Sequence, residues 1–217
     1  MRRVVVAVDG PSGSGKSTVA HQLADRLSVP HVDTGAYYRA LTWAVLRHGV
    51  NTADAAACAE LAQRVAITRA SGRTYVNGED VEDAIRGREA TAAVSVVSAH
   101  PAVRRLLVAR QRAAVGQTGA VVEGRDAGTV VVPEADLKVW LTASPHLRAA
   151  RRAAQLGEED ADVIAATADE LARRDDADAQ QMARAADAAI VDTTGRDVAE
   201  VVAELAGRAL SAAGASP

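Results

Sequence analysis

The chain has 217 residues, a formal net charge of -3 and a hydrophobic fraction of 48%, with only 2% aromatic residues and no Phe. A chain with no basic excess and few aromatic rings lacks the electrostatic field and the stacking surfaces that nucleic-acid-binding proteins use. No apolar run approaches the roughly 20 residues that cross a bilayer, and the lone Cys58 excludes an intramolecular disulfide framework and a cysteine-rich zinc site.

The first informative stretch is a glycine-rich segment between a predicted strand and a predicted helix. The β-branched run 4–8 predicts a buried strand, and apolar residues at helical spacing from Val19 predict the helix. Between them, GxxxxGK[ST] is matched at every fixed position of Gly10-Pro11-Ser12-Gly13-Ser14-Gly15-Lys16-Ser17-Thr18. Such a loop surrounds phosphate with N–H groups, a lysine charge and a hydroxyl for Mg²⁺. Only two of 25 basic residues are lysines, so Lys16 at the motif position favours a nucleoside triphosphate site over a chance Gly/Ser loop.

Residues 28–50 predict a short strand followed by a helix. The strand ends at Asp33, and Thr34 is the predicted N-cap of a helix that carries Leu41 and Val45. Arg39 lies about one turn into this helix, near the helix end that attracts anions. The pattern indicates an anion site. Simple capping with a solvated Arg39 stays open as the alternative.

The next part of the chain changes from helix to strand and back. An alanine-rich helix is predicted over 53–66, where Cys58 is a small buried residue. Residues 67–81 place β-favouring residues around Ser-Gly and Asn-Gly turn signals, which predicts an inserted antiparallel meander. Helices are predicted at 89–98 and 101–115.

Three more strands and a charged helical hairpin are predicted in the second half. The strands lie near 120–123, 137–141 and 189–192, the hairpin spans 146–182, and a last helix covers about 197–212. Five strands separated by helices predict a parallel α/β sheet with helices on both faces. Ligands bind such sheets at the carboxyl ends of strands, here at Asp9-Gly10, Asp33-Thr34 and Glu123-Gly124-Arg125-Asp126.

Other classes with a phosphate loop fit less well. A GTPase needs the guanine-binding sequence Asn-Lys-x-Asp, which the chain lacks. Residues 192–195 match the DxxG pattern of a GTPase switch, but they lie at the last strand, too late in the strand order for a switch. A motor ATPase would show a strand ending in Asp-Glu. Here the strand ends in Val122-Glu123, so only the Glu is present. The many arginines favour phosphoryl transfer to an acceptor that itself carries phosphate. For the hairpin arginines, a solvated face balanced by Glu158, Glu159 and Asp160 stays open as the alternative.

Four segments together resemble the bacterial cytidylate kinases, which phosphorylate CMP and dCMP with ATP. Residues 9–17 are similar to the family's phosphate loop, residues 33–39 to D[ST]GAxYR and residues 123–133 to its GRDxGTVVxP stretch. Residues 77–86 resemble its inserted β-domain. The resemblance covers nearly the whole chain and implies a P-loop NTPase fold with an inserted meander and a helical lid.

The resemblance also implies roles for individual residues. It implies catalytic roles for Lys16, Arg125 and Arg174, and Mg²⁺ binding by Ser17 and, through water, Asp33. ATP would be bound by the loop and by two lid arginines, namely Gly10, Pro11, Ser12, Gly13, Ser14, Gly15, Lys16, Ser17, Thr18, Arg148 and Arg152. The acceptor's phosphate would contact Thr34, Arg39 and Arg125, its cytosine Ser95, Arg104 and Asp126, and its phosphate and ribose Arg174 and Asp178.

One segment departs from the family pattern. After the RDxxD segment at 174–178, Gln181 stands where the family usually has arginine, a Pro-Leu pair is missing, and Arg184 is the candidate replacement. Two alternatives stay open: another small-molecule kinase with a phosphate loop, for shikimate or a different nucleoside monophosphate, and a nucleotide switch without transfer. The meander at 67–81 argues against the first, and Gln181 favours the second.

The predicted organisation is a single kinase domain over 1–217. It consists of core 1–62, a monophosphate-binding insert at about 63–94, core 95–145, a lid at about 146–182 and core 183–217. We expect a cytoplasmic monomer whose partners are the small molecules CMP and dCMP. We expect it to bind neither nucleic acid nor a membrane.

Overall fold

A computed structural model describes residues 3–155, 157 and 160–214 of the chain. The chain divides into two compact units. The first comprises Met1–Val32 and Val115–Pro217, and the second comprises Asp33–Ala114. The second unit therefore extends beyond the predicted insert at 63–94 on both sides, and the single kinase domain stays a prediction.

The strands and helices alternate along much of the chain. The strands are β1 (Val4–Asp9), β2 (His31–Asp33), β3 (Ile67–Ala70), β4 (Arg73–Val76), β5 (Glu79–Asp80), β6 (Gly119–Gly124), β7 (Leu137–Thr142) and β8 (Ala189–Asp192). The helices are α1 (Lys16–Leu27), α2 (Thr34–Arg47), α3 (Ala55–Arg64), α4 (Glu82–Arg86), α5 (Arg88–Ala99), α6 (Pro101–Val115), α7 (Pro145–Gln155), α8 (Ala161–Asp178) and α9 (Val198–Gly214).

The large sheet has the strand order β2-β6-β1-β7-β8. Strand β1 pairs in parallel with β6 and β7, and β7 pairs in parallel with β8. The predicted five-stranded α/β sheet is confirmed. Because β6 and β1 are parallel neighbours, the segments that follow them leave the sheet at the same edge.

The core of the first unit lies between the sheet and two helices. All six residues of β1 are buried, as expected of a β-branched strand inside a parallel sheet. Alternate strand residues share a face, so Val4, Val6 and Val8 point to the same side. They belong to one apolar cluster with α1 and α9, which includes Val19, Leu23, Val121, Leu141, Val201 and Leu205. Valine, alanine and leucine thus fill the core of a chain without Phe.

The predicted helical hairpin is confirmed as α7 and α8, which pack against each other. A 3₁₀ turn, Ala179–Gln181, continues directly from α8. Asp160 caps α8 by accepting a hydrogen bond from the Asp162 N–H at 2.9 Å. The charges proposed for Glu158 and Glu159 lie outside the described residues.

The second unit contains the predicted meander and five helices. Strands β3, β4 and β5 form a three-stranded antiparallel sheet, with Ile67 opposite Val76 and Tyr75 opposite Asp80. The Asn77-Gly78 turn has positive φ at both residues, 51° and 86°, which confirms the predicted turn signal. Helix α2 packs against α5 and α4. Within the described residues, no single helix is long and apolar enough to cross a membrane. Only α5 and α6 taken together have the necessary length and apolar composition, and they are bent by 101°.

One local prediction in this unit is wrong, and one helix was missed. The N-cap of α2 is Asp33 rather than Thr34, because the extended Asp33 accepts the Ala36 N–H at 2.9 Å while Thr34 is already helical. Helix α4 was not predicted at all. It has only five residues, too few for a hydrophobic period to show in the sequence.

Candidate active site

The phosphate loop joins β1 to α1 and approaches other backbone segments closely. A Cβ added to Gly10 would lie 2.1 Å from the Leu141 carbonyl oxygen, so no larger residue fits there without moving β7. Gly13 has a φ of 75°, and its Cβ would lie 2.7 Å from the Arg148 carbonyl oxygen. The loop therefore needs its glycines for packing as well as for its conformation.

Lys16 is held inside the loop that precedes it. Its Nζ donates to the Pro11 carbonyl oxygen at 2.7 Å. Burial, together with the charge of the nearby Arg125, lowers the pKa of Lys16 to about 7. An anion bound beside the ammonium group would stabilise its charged form. The surroundings of Lys16 thus favour binding of a negatively charged ligand.

The Ser17 hydroxyl and the Glu123 carboxylate lie side by side. The Ser17 hydroxyl donates to Glu123 Oε1 at 2.8 Å, and His31 Nε2 lies 3.2 Å from Glu123 Oε2. Among the described residues, no group of three or more His, Cys, Asp or Glu side chains is arranged to hold a metal ion. Mg²⁺ at nucleotide sites uses one or two protein oxygens together with substrate phosphates, so the Ser17 hydroxyl oxygen, oriented by Glu123, fits Mg²⁺.

Arg125 connects the end of β6 to the phosphate loop and to helix α8. Its Nη1 donates to the Gly10 carbonyl oxygen at 2.9 Å, and its Nη2 donates to Ser12 Oγ at 2.5 Å. Its Nε lies 3.3 Å from Asp178 Oδ2. The geometry brings together four of the residues named from the sequence: Gly10, Ser12, Arg125 and Asp178.

Two residues of the helical hairpin contact the same loop. Arg148 Nη1 donates to the Ser12 carbonyl oxygen at 3.0 Å and to Asp175 Oδ2 at 2.5 Å. The Ser12 N–H donates to Asp175 Oδ1 at 3.1 Å. A carboxylate therefore accepts one of the loop N–H groups. Sequence reasoning missed Asp175, although it stands next to Arg174 inside the RDxxD segment.

Arg174 lies in a group of neighbouring cations. Its Nε is 3.9 Å from Asp178 Oδ2. Burial lowers the pKa of Arg174, and Arg125 and Arg152 act in the same direction. Gln181 is half-buried in the 3₁₀ turn and Arg184 is exposed. The replacement of the family arginine by Arg184 stays a prediction.

Asp9 fixes the segment that follows β6. Its two carboxylate oxygens accept the Ala127 and Gly128 N–H groups, each at 2.8 Å. Burial raises the pKa of Asp9 to about 6, although these two hydrogen bonds act against the rise. The anchored segment is a π-helical turn, Ala127–Val131, and the buried Asp126 directly precedes it. The sequence named Asp9 as a strand end and as the start of the phosphate-loop segment at 9–17, so its anchoring role was missed.

In the second unit, Arg39 is almost fully buried on α2. Its Nη1 donates to the Ile85 carbonyl oxygen at 3.0 Å and to Thr91 Oγ1 at 2.8 Å. The neighbouring Thr34 is also buried, and its carbonyl oxygen accepts from Gln111 Nε2 at 3.4 Å. The structure thus makes Arg39 part of a packed polar group rather than the solvated charge left open as the alternative.

Asp33 is surrounded by two arginines that the sequence did not indicate. Asp33 Oδ2 lies 3.2 Å from Arg69 Nη1 and 2.8 Å from Arg86 Nη2. Burial alone would raise the pKa of Asp33, but Arg86 and Arg69 hold it well below its usual range. Arg69 comes from the meander and Arg86 from α4, so their approach to Asp33 depends on tertiary structure.

The two predicted base-reading residues of this unit lie on consecutive helices. Ser95 is half-buried on α5, and its carbonyl oxygen accepts from Ser98 Oγ at 3.2 Å. Arg104 on α6 is half-buried, with its guanidinium carbon 5.6 Å from the centre of the Tyr38 ring. A cation over an aromatic face is a favourable contact that orients the guanidinium group. Their contacts with a base stay a prediction.

Comparison with known proteins shows the family of the chain. A model of the cytidylate kinase family matches residues 6–210. A cytidylate kinase of Mycobacterium leprae is 47% identical over 217 residues, covering 94% of this chain and 95% of its own. One of Symbiobacterium thermophilum is 45% identical, covering 94% and 95%. A solved structure of an uncharacterized protein from Eubacterium ventriosum shares the fold, with a TM-score of 0.53 at 12% identity, covering 96% of this chain and 99% of its own. The chain belongs to the cytidylate kinase family.

Proposed function

We propose that the protein transfers the γ-phosphoryl group of ATP to the phosphate of CMP or dCMP. The observation that carries this proposal is the gathering of cations on the phosphate loop, where Lys16 lies within it and Arg125 and Arg148 each donate to its oxygens. Phosphoryl transfer spreads negative charge over the moving group, and positioned cations stabilise it. The names of the relatives, cytidylate kinases, support CMP as the acceptor.

The loop would bind the phosphates of ATP with its N–H groups and with Lys16. The Ser14 hydroxyl supports this role, because it is buried and has no hydrogen-bond partner within the part of the chain that the structure describes. An unsatisfied buried donor is costly, and a phosphate oxygen would satisfy it. Arg148 and Arg152 on α7 would add charge to the same phosphates.

Ser17 would hold Mg²⁺ through its hydroxyl oxygen, with Glu123 accepting the hydroxyl proton. When bound, Mg²⁺ would neutralise charge on the β- and γ-phosphates. Asp33 is less suited to this role than the sequence suggested, because its carboxylate is engaged by Arg69 and Arg86. We therefore assign the cation to Ser17, with Glu123 orienting its hydroxyl.

Acceptor binding is proposed for the residues of each unit by itself. In the first unit, Arg125 and Arg174 would bind phosphate, Asp126 a base edge and Asp178 a ribose hydroxyl. In the second unit, Thr34 and Arg39 would bind phosphate, and Ser95 and Arg104 a base edge. Buried polar groups reject a wrong base because the mismatch leaves them unpaired.

Product analysis tests the proposal directly. The full-length protein is incubated with ATP, Mg²⁺ and one nucleoside monophosphate at a time: CMP, dCMP, UMP, AMP or GMP. We expect ADP and a diphosphate to form fastest with CMP or dCMP. Turnover of UMP, AMP or GMP at a rate equal to that of CMP would contradict the base assignment. ATP binding without ADP formation under any of these conditions would favour a nucleotide switch instead.

A further inference from the structure

Glu123 is held by residues of two other elements. It stands near the end of β6, and its Oε1 accepts the hydroxyl of Ser17, the second residue of α1, at 2.8 Å. Its Oε2 lies 3.2 Å from Nε2 of His31, the first residue of β2. The side chains of Glu123 and His31 are only 6% and 15% exposed. Such limited exposure means that protein groups must supply most of their hydrogen bonds.

The direction of the contact with His31 follows from chemistry. An ionised carboxylate can only accept hydrogen bonds, so His31 Nε2 carries the proton that faces Glu123. The His31 ring is itself supported by an edge-on contact with the His21 ring, with centroids 5.7 Å apart and planes at 70°. His31 is therefore a supported donor that fixes one of the two oxygens of Glu123.

Fixing one oxygen also determines what the other can do. A glutamate side chain rotates about three bonds, and holding it in one conformation costs entropy. With Oε2 bound to His31, Oε1 is directed to the Ser17 hydroxyl, which must then point its proton at Glu123. The lone pairs of Ser17 Oγ are thereby left for a cation. Without the His31 contact, Glu123 could rotate and the hydroxyl proton would lose its defined direction.

We propose that His31 is a positioning residue for Mg²⁺-dependent nucleotide binding, acting through Glu123 on Ser17. The inference rests on the proposed function in that it takes the cation to be held at Ser17. The chemistry is that of outer-sphere hydrogen bonds, which orient the groups that contact a metal. A simple packing role for His31 would be filled equally well by any side chain of similar size.

Three substitutions separate these two roles. His31→Gln places an amide N–H at about the reach of Nε2, whereas His31→Asn is equally polar but stops short of Glu123. His31→Leu keeps the bulk and removes the donor. His48→Leu, at an exposed histidine after α2, is the matched control. Thermal unfolding of each variant identifies those that fold, and the Gln and Asn pair suffices if the Leu variant does not.

The readout is binding of a fluorescent ATP analogue, with excess EDTA and then over a series of free Mg²⁺ concentrations. For His31→Leu and His31→Asn we expect a Kd in EDTA within about twofold of wild type, and a requirement for about 10-fold more Mg²⁺ to reach full affinity. His31→Gln should recover most of that loss. His48→Leu should match wild type in both conditions.

Three results with the His31 variants would overturn the proposal. The first is an unchanged Mg²⁺ requirement in His31→Asn. The second is an equal shift in the Gln and Asn variants, which would show that packing is the cause. The third is an equal loss of affinity with and without Mg²⁺, which would show general damage to the loop. Because binding is measured without CMP, a failure of the acceptor assignment leaves this test intact. Nucleotide binding by wild type that does not depend on Mg²⁺ would overturn both the Ser17 assignment and the role of His31.

Discussion

The phosphate loop of the first unit and the Asp33 cluster of the second unit (Asp33, Arg69 and Arg86) differ in how their buried charges are arranged. At the loop, cations lie near one another. Burial lowers the pKa of Lys16 and of Arg174, and the charge of Arg125 contributes to both shifts. At Asp33, two guanidinium groups flank one carboxylate and hold its pKa low. Repelling cations are stabilised by an added anion, whereas in a cluster of opposite charges each charge is already compensated. The first arrangement suits binding, and the second suits stability.

The largest stability effect is expected at Asp33. Asp33→Asn keeps an acceptor for the Ala36 N–H, so the helix cap survives, but it leaves Arg69 and Arg86 without their shared carboxylate. Removing one partner of a buried ion pair costs about 3–5 kcal/mol. Because Arg86 is partly exposed, we expect the lower end of that range. Urea unfolding of the variant and of wild type measures the difference.

The pH dependence and a surface control sharpen this prediction. The folded-state pKa of Asp33 is depressed, so its contribution is present above the usual aspartate range and disappears as pH falls through the folded value. The stability difference between Asp33→Asn and wild type should shrink accordingly in acid. Glu60→Gln, which alters the exposed pair with Arg64, should change stability by less than about 0.5 kcal/mol. Equal effects of the two substitutions would contradict the comparison.

The largest catalytic effect is expected at Lys16. Lys16→Ala removes a charge placed to act on the transferring phosphoryl group, and loss of one such group costs about 100- to 1,000-fold in kcat. The only other lysine, Lys138, pairs with Asp187 at 3.0 Å, which makes Lys138→Ala a matched control. Steady-state kinetics with ATP and CMP measure both variants. A near-normal kcat for Lys16→Ala, or equal losses in the two, would rule out the role given to Lys16.

The same contrast explains what the sequence could predict. The phosphate loop is local: its glycines, Lys16 and Ser17 are contiguous, so a motif predicts them and the strand and helix around them. The Asp33 cluster joins residues more than thirty positions apart, Asp33 with Arg69 and Arg86, and no local pattern links them. His31 and Asp175 were missed for the same reason, since each acts through a partner distant in sequence. Hydrophobic periodicity predicts the sheet, but not the contacts between side chains of different elements.

A smaller effect concerns the stability of the protein without nucleotide. The folded pKa of Lys16 is about 7, against 10.5 for an ordinary lysine, so the unfolded chain binds a proton that the folded chain does not. Stability therefore rises with pH between those values, and Lys16 is destabilising below them. Lys16→Met should raise the free energy of unfolding by about 1–2 kcal/mol near neutral pH, with a smaller gain at alkaline pH. Urea unfolding at the two pH values measures it, and a loss of stability at neutral pH would contradict the charge argument.

The smallest effect is expected where a carboxylate contacts the loop. Asp175 Oδ1 accepts the Ser12 N–H that a phosphate oxygen would otherwise take, and its Oδ2 accepts from Arg148. Asp175→Asn keeps an acceptor but removes the charge, so phosphate should displace the side chain more easily. The Kd of an ATP analogue should then fall by about two- to fivefold, which is a change in binding free energy of less than about 1 kcal/mol. Asp176→Asn makes the same charge change at an exposed neighbour. If both variants tighten binding equally, net charge is the cause, and if Asp175→Asn weakens binding, the carboxylate organises the loop for its ligand instead of competing with it.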